Sequence, residues 1–171
     1  MNGRMLVFLS LLTGAAAILH IVETWLPLPL PLPGAKLGLA NIVSLTALIW
    51  LGWRPALLVT ACRVLLAALF SGSLLGPAFL MSLTGAVGSL LIMAAAHSWG
   101  YRLLSVIGIS VIGAVSHNAL QLMVAATLMS SGSILWYLPW LVLLAIPTGI
   151  ITGACAAVFT AHASRLPVGR P

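Results

Sequence analysis

Six long apolar stretches order this chain, each ended by a short connection bearing proline, glycine, serine or arginine. They fall at residues 5–26, 37–53, 55–70, 77–98, 103–129 and 138–164. A helix that crosses a bilayer needs about 20 predominantly apolar residues, and most of these runs approach that length. The second and third are short. A run of about 16 residues covers only about 24 Å at 1.5 Å per residue, so such a helix must stand nearly upright or be shielded by neighbours. The pattern predicts an all-α, polytopic membrane protein: one transmembrane domain over residues 1–171 with six spans, no soluble domain and no repeat of 20–50 residues. The start of the first run, Arg4 followed by apolar residues up to Ala17, has the look of a signal peptide. Because the apolar stretch continues through residues 18–26, it reads as an uncleaved first helix.

Charge then orients the spans. With the N-terminus inside, Arg4, Arg54, Arg102, Arg165 and Arg170 all fall in cytoplasmic segments, while the outer connections at 27–36, 71–76 and 130–137 hold only Lys36. This is the distribution the positive-inside rule requires. Trp25, Trp136, Tyr137 and Trp140 lie near outer ends, and Trp50, Trp53, Trp99 and Tyr101 near inner ones, as interfacial aromatics do. Both termini are expected inside.

Composition sharpens the class. Hydrophobic residues make up 62 % of the chain and charged residues 5 %, with mean hydropathy +1.22, whereas soluble domains carry about a quarter charged residues. The net charge of +6 does not imply nucleic acid, because the cations stand singly at segment ends and form no stripe. Cys62 and Cys155 lie within apolar runs without metal-ligand spacing and read as reduced packing residues.

Against this background Arg63 stands out. It sits near the middle of an apolar run, where a cation costs about 2.5–3.5 kcal/mol even on insertion scales, in a chain whose one acidic residue is Glu23. From the helical rise, Arg63 lies about 10 Å and Glu23 about 5 Å below the outer ends of their helices, so a Glu23–Arg63 charge pair is within reach. Either the two serve only as a structural pair, or the guanidinium also faces a bound anion. Lys36, at the start of the second helix, adds positive charge where the helix dipole already favours anions; it either snorkels to headgroups or serves an anion site. Asn41 and Ser44, three apart, share one face and are expected to extend the polar lining beside it. His117-Asn118-x-x-Gln121, midway along the fifth helix, either lines a cavity or ties helices together. His20 and Glu23 also share a face, but no set of ligands for a metal converges, and neither metal nor cofactor is expected. Pro27-Leu-Pro-Leu-Pro-Leu-Pro33 lacks four backbone donors and favours polyproline II, as a stiff connector or a lid over an outward cavity. Gly149-x-x-x-Gly153, Ser10-x-x-x-Gly14 and the Thr84/Gly85/Gly88/Ser89 group permit close helix approach, and Pro147 should kink the sixth helix or free a carbonyl.

The chain has no P-loop and no aspartate at all. Prenyl transfer from diphosphates in its usual form needs clustered carboxylates to hold magnesium, so an enzyme of that kind is not expected.

Four stretches are distinctive: Pro33-Gly-Ala-Lys-Leu-Gly-Leu-Ala-Asn-Ile-Val43, Arg63-Val-Leu-Leu-Ala-Ala-Leu-Phe-Ser-Gly72, Pro77-Ala-Phe-Leu-Met-Ser-Leu-Thr-Gly85 and Ser116-His-Asn-Ala-Leu-Gln-Leu122. In order and over about residues 15–160, they resemble the Gx transporter family, also described as heptaprenyl diphosphate synthase component I. Thr84-Gly85-Ala86 departs from the Gly pair expected there. That family is similar to the substrate-binding S components of energy-coupling factor transporters, six-helix proteins that dock on a coupling transmembrane subunit driven by two ATPases. The resemblance implies an outward cavity involving Lys36, Asn41, Arg63, His117, Asn118 and Gln121, and a first-helix face of Ser10, Gly14 and Ala17 meeting the coupling subunit. The expected function is non-enzymatic capture of a small anionic, vitamin-like or quinone-precursor molecule for uptake. Two further readings stay open. One is an accessory membrane subunit partnering prenyl- or quinone-pathway proteins or a membrane redox complex; the other is a self-sufficient transporter with His20 and Glu23 as proton carriers.

Overall fold

The computed structural model describes residues 3–25, 38–100 and 103–163. Lys36, the proline–leucine segment and Arg102 lie outside them. Among the described residues the fold is all-α: α1 Gly3–Trp25, α2 Leu39–Leu51, α3 Trp53–Phe70, α4 Pro77–Gly100, α5 Val106–Leu128 and α6 Leu138–Ala163, with a 3₁₀ turn at Gly132–Tyr137 before α6. Five of the helices are long and apolar enough to cross a membrane, and α2 is the shorter exception. At 13 residues α2 reaches only about 20 Å of a hydrocarbon core about 30 Å thick.

Its position explains how so short a helix is tolerated. Helix α2 packs against α1, α3, α4 and α6, and most of its side chains are buried. The remaining helices are arranged around it in the order α1, α3, α4, α5, α6. A single residue, Gly52 at φ 88°, reverses the chain between α2 and α3, with its N–H closing the last turn of α2 on the Leu48 carbonyl; a side chain there would meet the cost of a left-handed backbone. At its other end α5 starts later than the apolar run suggests, because Ser105 caps it, its hydroxyl accepting from the Gly108 N–H at 3.1 Å.

Three apolar clusters carry the core, a small one of Val64, Ala68, Phe79 and Ala86 and two larger ones. Leu45, Leu48, Leu90, Met93 and Ile109 join α2, α4 and α5. Leu9, Trp50, Leu51 and Val59 join α1, α2 and α3, with Phe8 set edge-on to Trp50 at 4.6 Å. Helices α5 and α6 approach most closely through glycine. A Cβ at Gly149 would fall 2.8 Å from Val111 Cα, and one at Gly153 2.8 Å from Ile107 Cα. The Gly149-x-x-x-Gly153 pair therefore serves packing within the chain. Pro147 lies inside α6, which continues through it; its missing N–H leaves the Leu143 carbonyl without the usual amide partner.

Candidate functional site

Polar side chains from five helices meet beside the N-terminal end of α2. Arg63 of α3 is 2 % exposed. Its Nη2 donates to Asn41 Oδ1 at 3.0 Å and its Nη1 lies 3.3 Å from His20 Nδ1. A guanidinium only donates, so Nδ1 accepts and the His20 proton sits on Nε2. Arg63 Nε is buried without a hydrogen-bond partner among the described residues. Glu23, also buried, accepts a hydrogen bond from the Gly38 N–H and attracts Arg63 electrostatically. Gly38 holds φ 77° at the head of α2, a left-handed turn open to glycine that aims its N–H at the carboxylate.

Helix α5 closes the far wall. Asn118 Nδ2 donates to the Leu141 carbonyl of α6 at 3.3 Å, and His117 Nδ1 lies 3.5 Å from Ser89 Oγ of α4. Gln121 is buried, and no hydrogen bond holds its amide among the described residues. Gly85 of α4 makes room for this wall: a Cβ there would sit 2.7 Å from Gln121 Cγ and 3.2 Å from His117 Cε1. The void enclosed by Glu23, Asn41, Arg63, His117, Asn118 and Gln121 measures about 30 Å³, with His20, Thr148 and Thr152 completing its lining.

The structure thus brings Asn41, Arg63, His117, Asn118, Gln121 and the charge partner Glu23 around one cavity; Lys36 lies outside the described residues. His117 and Asn118 both line the void and tie helices together. Three residues were absent from the sequence-derived set. His20 contacts the guanidinium directly, and its place one turn before Glu23 was the available signal. Thr148 and Thr152, one turn apart in the apolar α6, project from the same glycine-bearing stretch. Ser44 departs from expectation: it is fully buried, accepts from Thr60 Oγ1 at 2.9 Å and is not part of the lining.

Along the expected docking face, exposure differs. Ser10 is exposed and Gly14 half-buried, both in an apolar groove between α1 and α3, but Ala17 is 5 % exposed and covered by the chain itself. Seven residues along a helix return to nearly the same face, yet α1 is covered to different depths along its length. Cys62 is likewise an exposed residue of that groove and not a core residue, while Cys155 is half-buried.

No group of three or more His, Cys, Asp or Glu that could hold a metal ion occurs among the described residues. Five helices long and apolar enough to cross a membrane, with the shorter α2 among them, thus surround a polar pocket that holds one cationic and one anionic side chain. The family model described as heptaprenyl diphosphate synthase component I matches residues 12–159, and the chain belongs to that family. No curated protein and no solved structure matches it.

Proposed function

We propose that this chain is the substrate-binding membrane subunit of an uptake system, S-component-like in design and not an enzyme. Its ligand is a small anion of vitamin-like or quinone-precursor size, taken up across a bacterial inner membrane. The observation that carries this reading is Arg63: buried, attracted by Glu23, hydrogen-bonded among the described residues to His20 and Asn41, and with its Nε unpartnered among them beside a polar void. Tying helices together does not call for a charge at this depth. The Thr60–Ser44 and Ser110–Thr152 hydroxyl pairs link helices elsewhere in the bundle at 2.9 and 3.0 Å without one. A guanidinium buried at similar depth costs several kcal/mol, which a bound carboxylate or phosphate offsets through charge-assisted hydrogen bonds. Lys36, Asn118 and Gln121 complete the ligand-binding set in this reading, and Ser10 and Gly14 face the coupling transmembrane subunit and its ATPases.

The test is purification in mild detergent followed by mass spectrometry of what the protein retains. Wild type should carry a small anion that Arg63→Ala lacks. A wild-type protein that binds no anion, with Arg63→Ala behaving identically, refutes the proposal.

The family description favours a second reading, because a component I implies another component of a heptaprenyl diphosphate synthase. In that case the chain is an accessory membrane subunit and the partner carries the chemistry. A single acidic side chain cannot supply the carboxylates that hold magnesium diphosphate. Co-purification separates the readings: an ATPase and coupling subunit on one side, a prenyl synthase on the other.

A further inference from the structure

A second cavity lies between α1, α3 and α4, about 220 Å³ in volume, and His20 lines both it and the Arg63 void. On α3 it is lined by Val64, Ala67 and Ala68, with Ser71 at the helix C-cap, so it begins at the residue next to Arg63 and runs about two turns beyond it. Its floor is apolar, with Val64, Ala68 and Phe79 packed together. Its rim carries hydroxyls. Ser71 and Ser73 bond each other at 2.8 Å, and Ser82 has no hydrogen bond among the described residues.

The two volumes set the argument. The Arg63 void, about 30 Å³, is the share of one water molecule and takes no more than a charged head. An apolar cavity of about 150 Å³ suffices for benzene, so the larger space holds one ring with a short polar arm. Resting on the anion reading above, we propose that the α1–α3–α4 cavity is the subsite for the ligand's uncharged body. The ligand class is then a small carboxylate bearing one aromatic or similarly sized apolar group. Its head reaches Arg63 by displacing His20 from Nη1, and its body stays against Phe79 and Val64. His20 forms the partition between head site and body site. Nothing covalent is required: a neutral imidazole acceptor is exchanged for a carboxylate oxygen.

Affinity for two probes, 3-phenylpropionate and acetate, tests the assignment on the full chain in detergent. Burying a ring favours the complex, so wild type should prefer phenylpropionate by about tenfold or more. Ala78→Trp, at an exposed position on the cavity wall, should collapse that preference, and Arg63→Gln should weaken both probes. Independently, Ser82→Cys in a Cys62→Ala/Cys155→Ala background should be shielded from a maleimide by phenylpropionate and not by acetate. If Ala78→Trp leaves the preference intact and Ser82→Cys stays unshielded, the body subsite is overturned while the anion reading stands, since acetate still depends on Arg63. If wild type binds neither probe, both fall.

Discussion

Replacing Gly85 by alanine adds one methyl group at the point where α4 supports the polar wall of α5. The added Cβ would lie 2.7 Å from Gln121 Cγ, 3.2 Å from His117 Cε1 and 3.2 Å from the His117 carbonyl. Ordinary carbon contacts sit near 3.5–4.0 Å, so Gln121 must retreat by roughly 1 Å and α5 must give a few tenths. Overpacking of this kind costs about 1–3 kcal/mol. The retreat also has a local consequence, because the void beside Gln121 is only about 30 Å³ and a shift of that size closes it. Gly88→Ala supplies the control. Its Cβ would meet Leu120 Cδ1 at 2.4 Å, the end of a flexible side chain that is not part of the void. Both variants should lose stability in a detergent unfolding titration, but Gly85→Ala should also lose anion binding by about tenfold or more, equivalent to 1.4 kcal/mol. Equal binding by the two variants would refute the view that Gly85 exists to seat Gln121 and His117.

Further outcomes follow from the same geometry. Gly153→Leu should destabilise by more than the 1–3 kcal/mol of simple overpacking, because its first atoms meet backbone at Ile107; a normal unfolding midpoint would contradict the α5–α6 contact. Thr60→Val should cost about 0.6 kcal/mol, the average for hydrogen bonds between membrane helices, measured by the same titration. Glu23→Gln keeps an acceptor for the Gly38 N–H but removes the charge that offsets Arg63. It should tighten acetate binding by about 2–4 kcal/mol at an effective dielectric near 20 and a charge separation of roughly 4–8 Å, and weaker binding would show that Glu23 helps to hold the ligand. Cys62 should react quickly with a lipid-soluble maleimide and Cys155 slowly, given their exposures.

The helices were legible in the sequence and their inward faces were not. Residues 77–98 and 138–164 anticipated α4 and α6 closely, because apolar run length and Pro77 carry that information. Facing is a different matter. Leu90 is buried while Leu91 is 47 % exposed, yet both suit lipid and core equally, so no amphipathic stripe tells them apart. Polar residues escape this ambiguity, since lipid exposure penalises them. That is why Asn41, Arg63 and the His117–Gln121 group could be assigned to an interior before any packing was known. Ala17 could not, having no polarity to betray its side. Thr148 and Thr152 were overlooked because their hydroxyls also satisfy carbonyls of their own helix, which makes such residues unremarkable in any span.

The hydrogen bond from Arg63 to His20 has a mechanical side. Helix α1 runs unbroken from Gly3 to Trp25, so it moves as one rod, and Ser10 lies about 15 Å along it from His20. On the proposed reading, an anion that displaces His20 from the guanidinium loosens one of the contacts that hold the rod near one extremity, where the Glu23–Gly38 hydrogen bond is another. Any tilt that results is delivered, with leverage, to the lipid-side groove at the other.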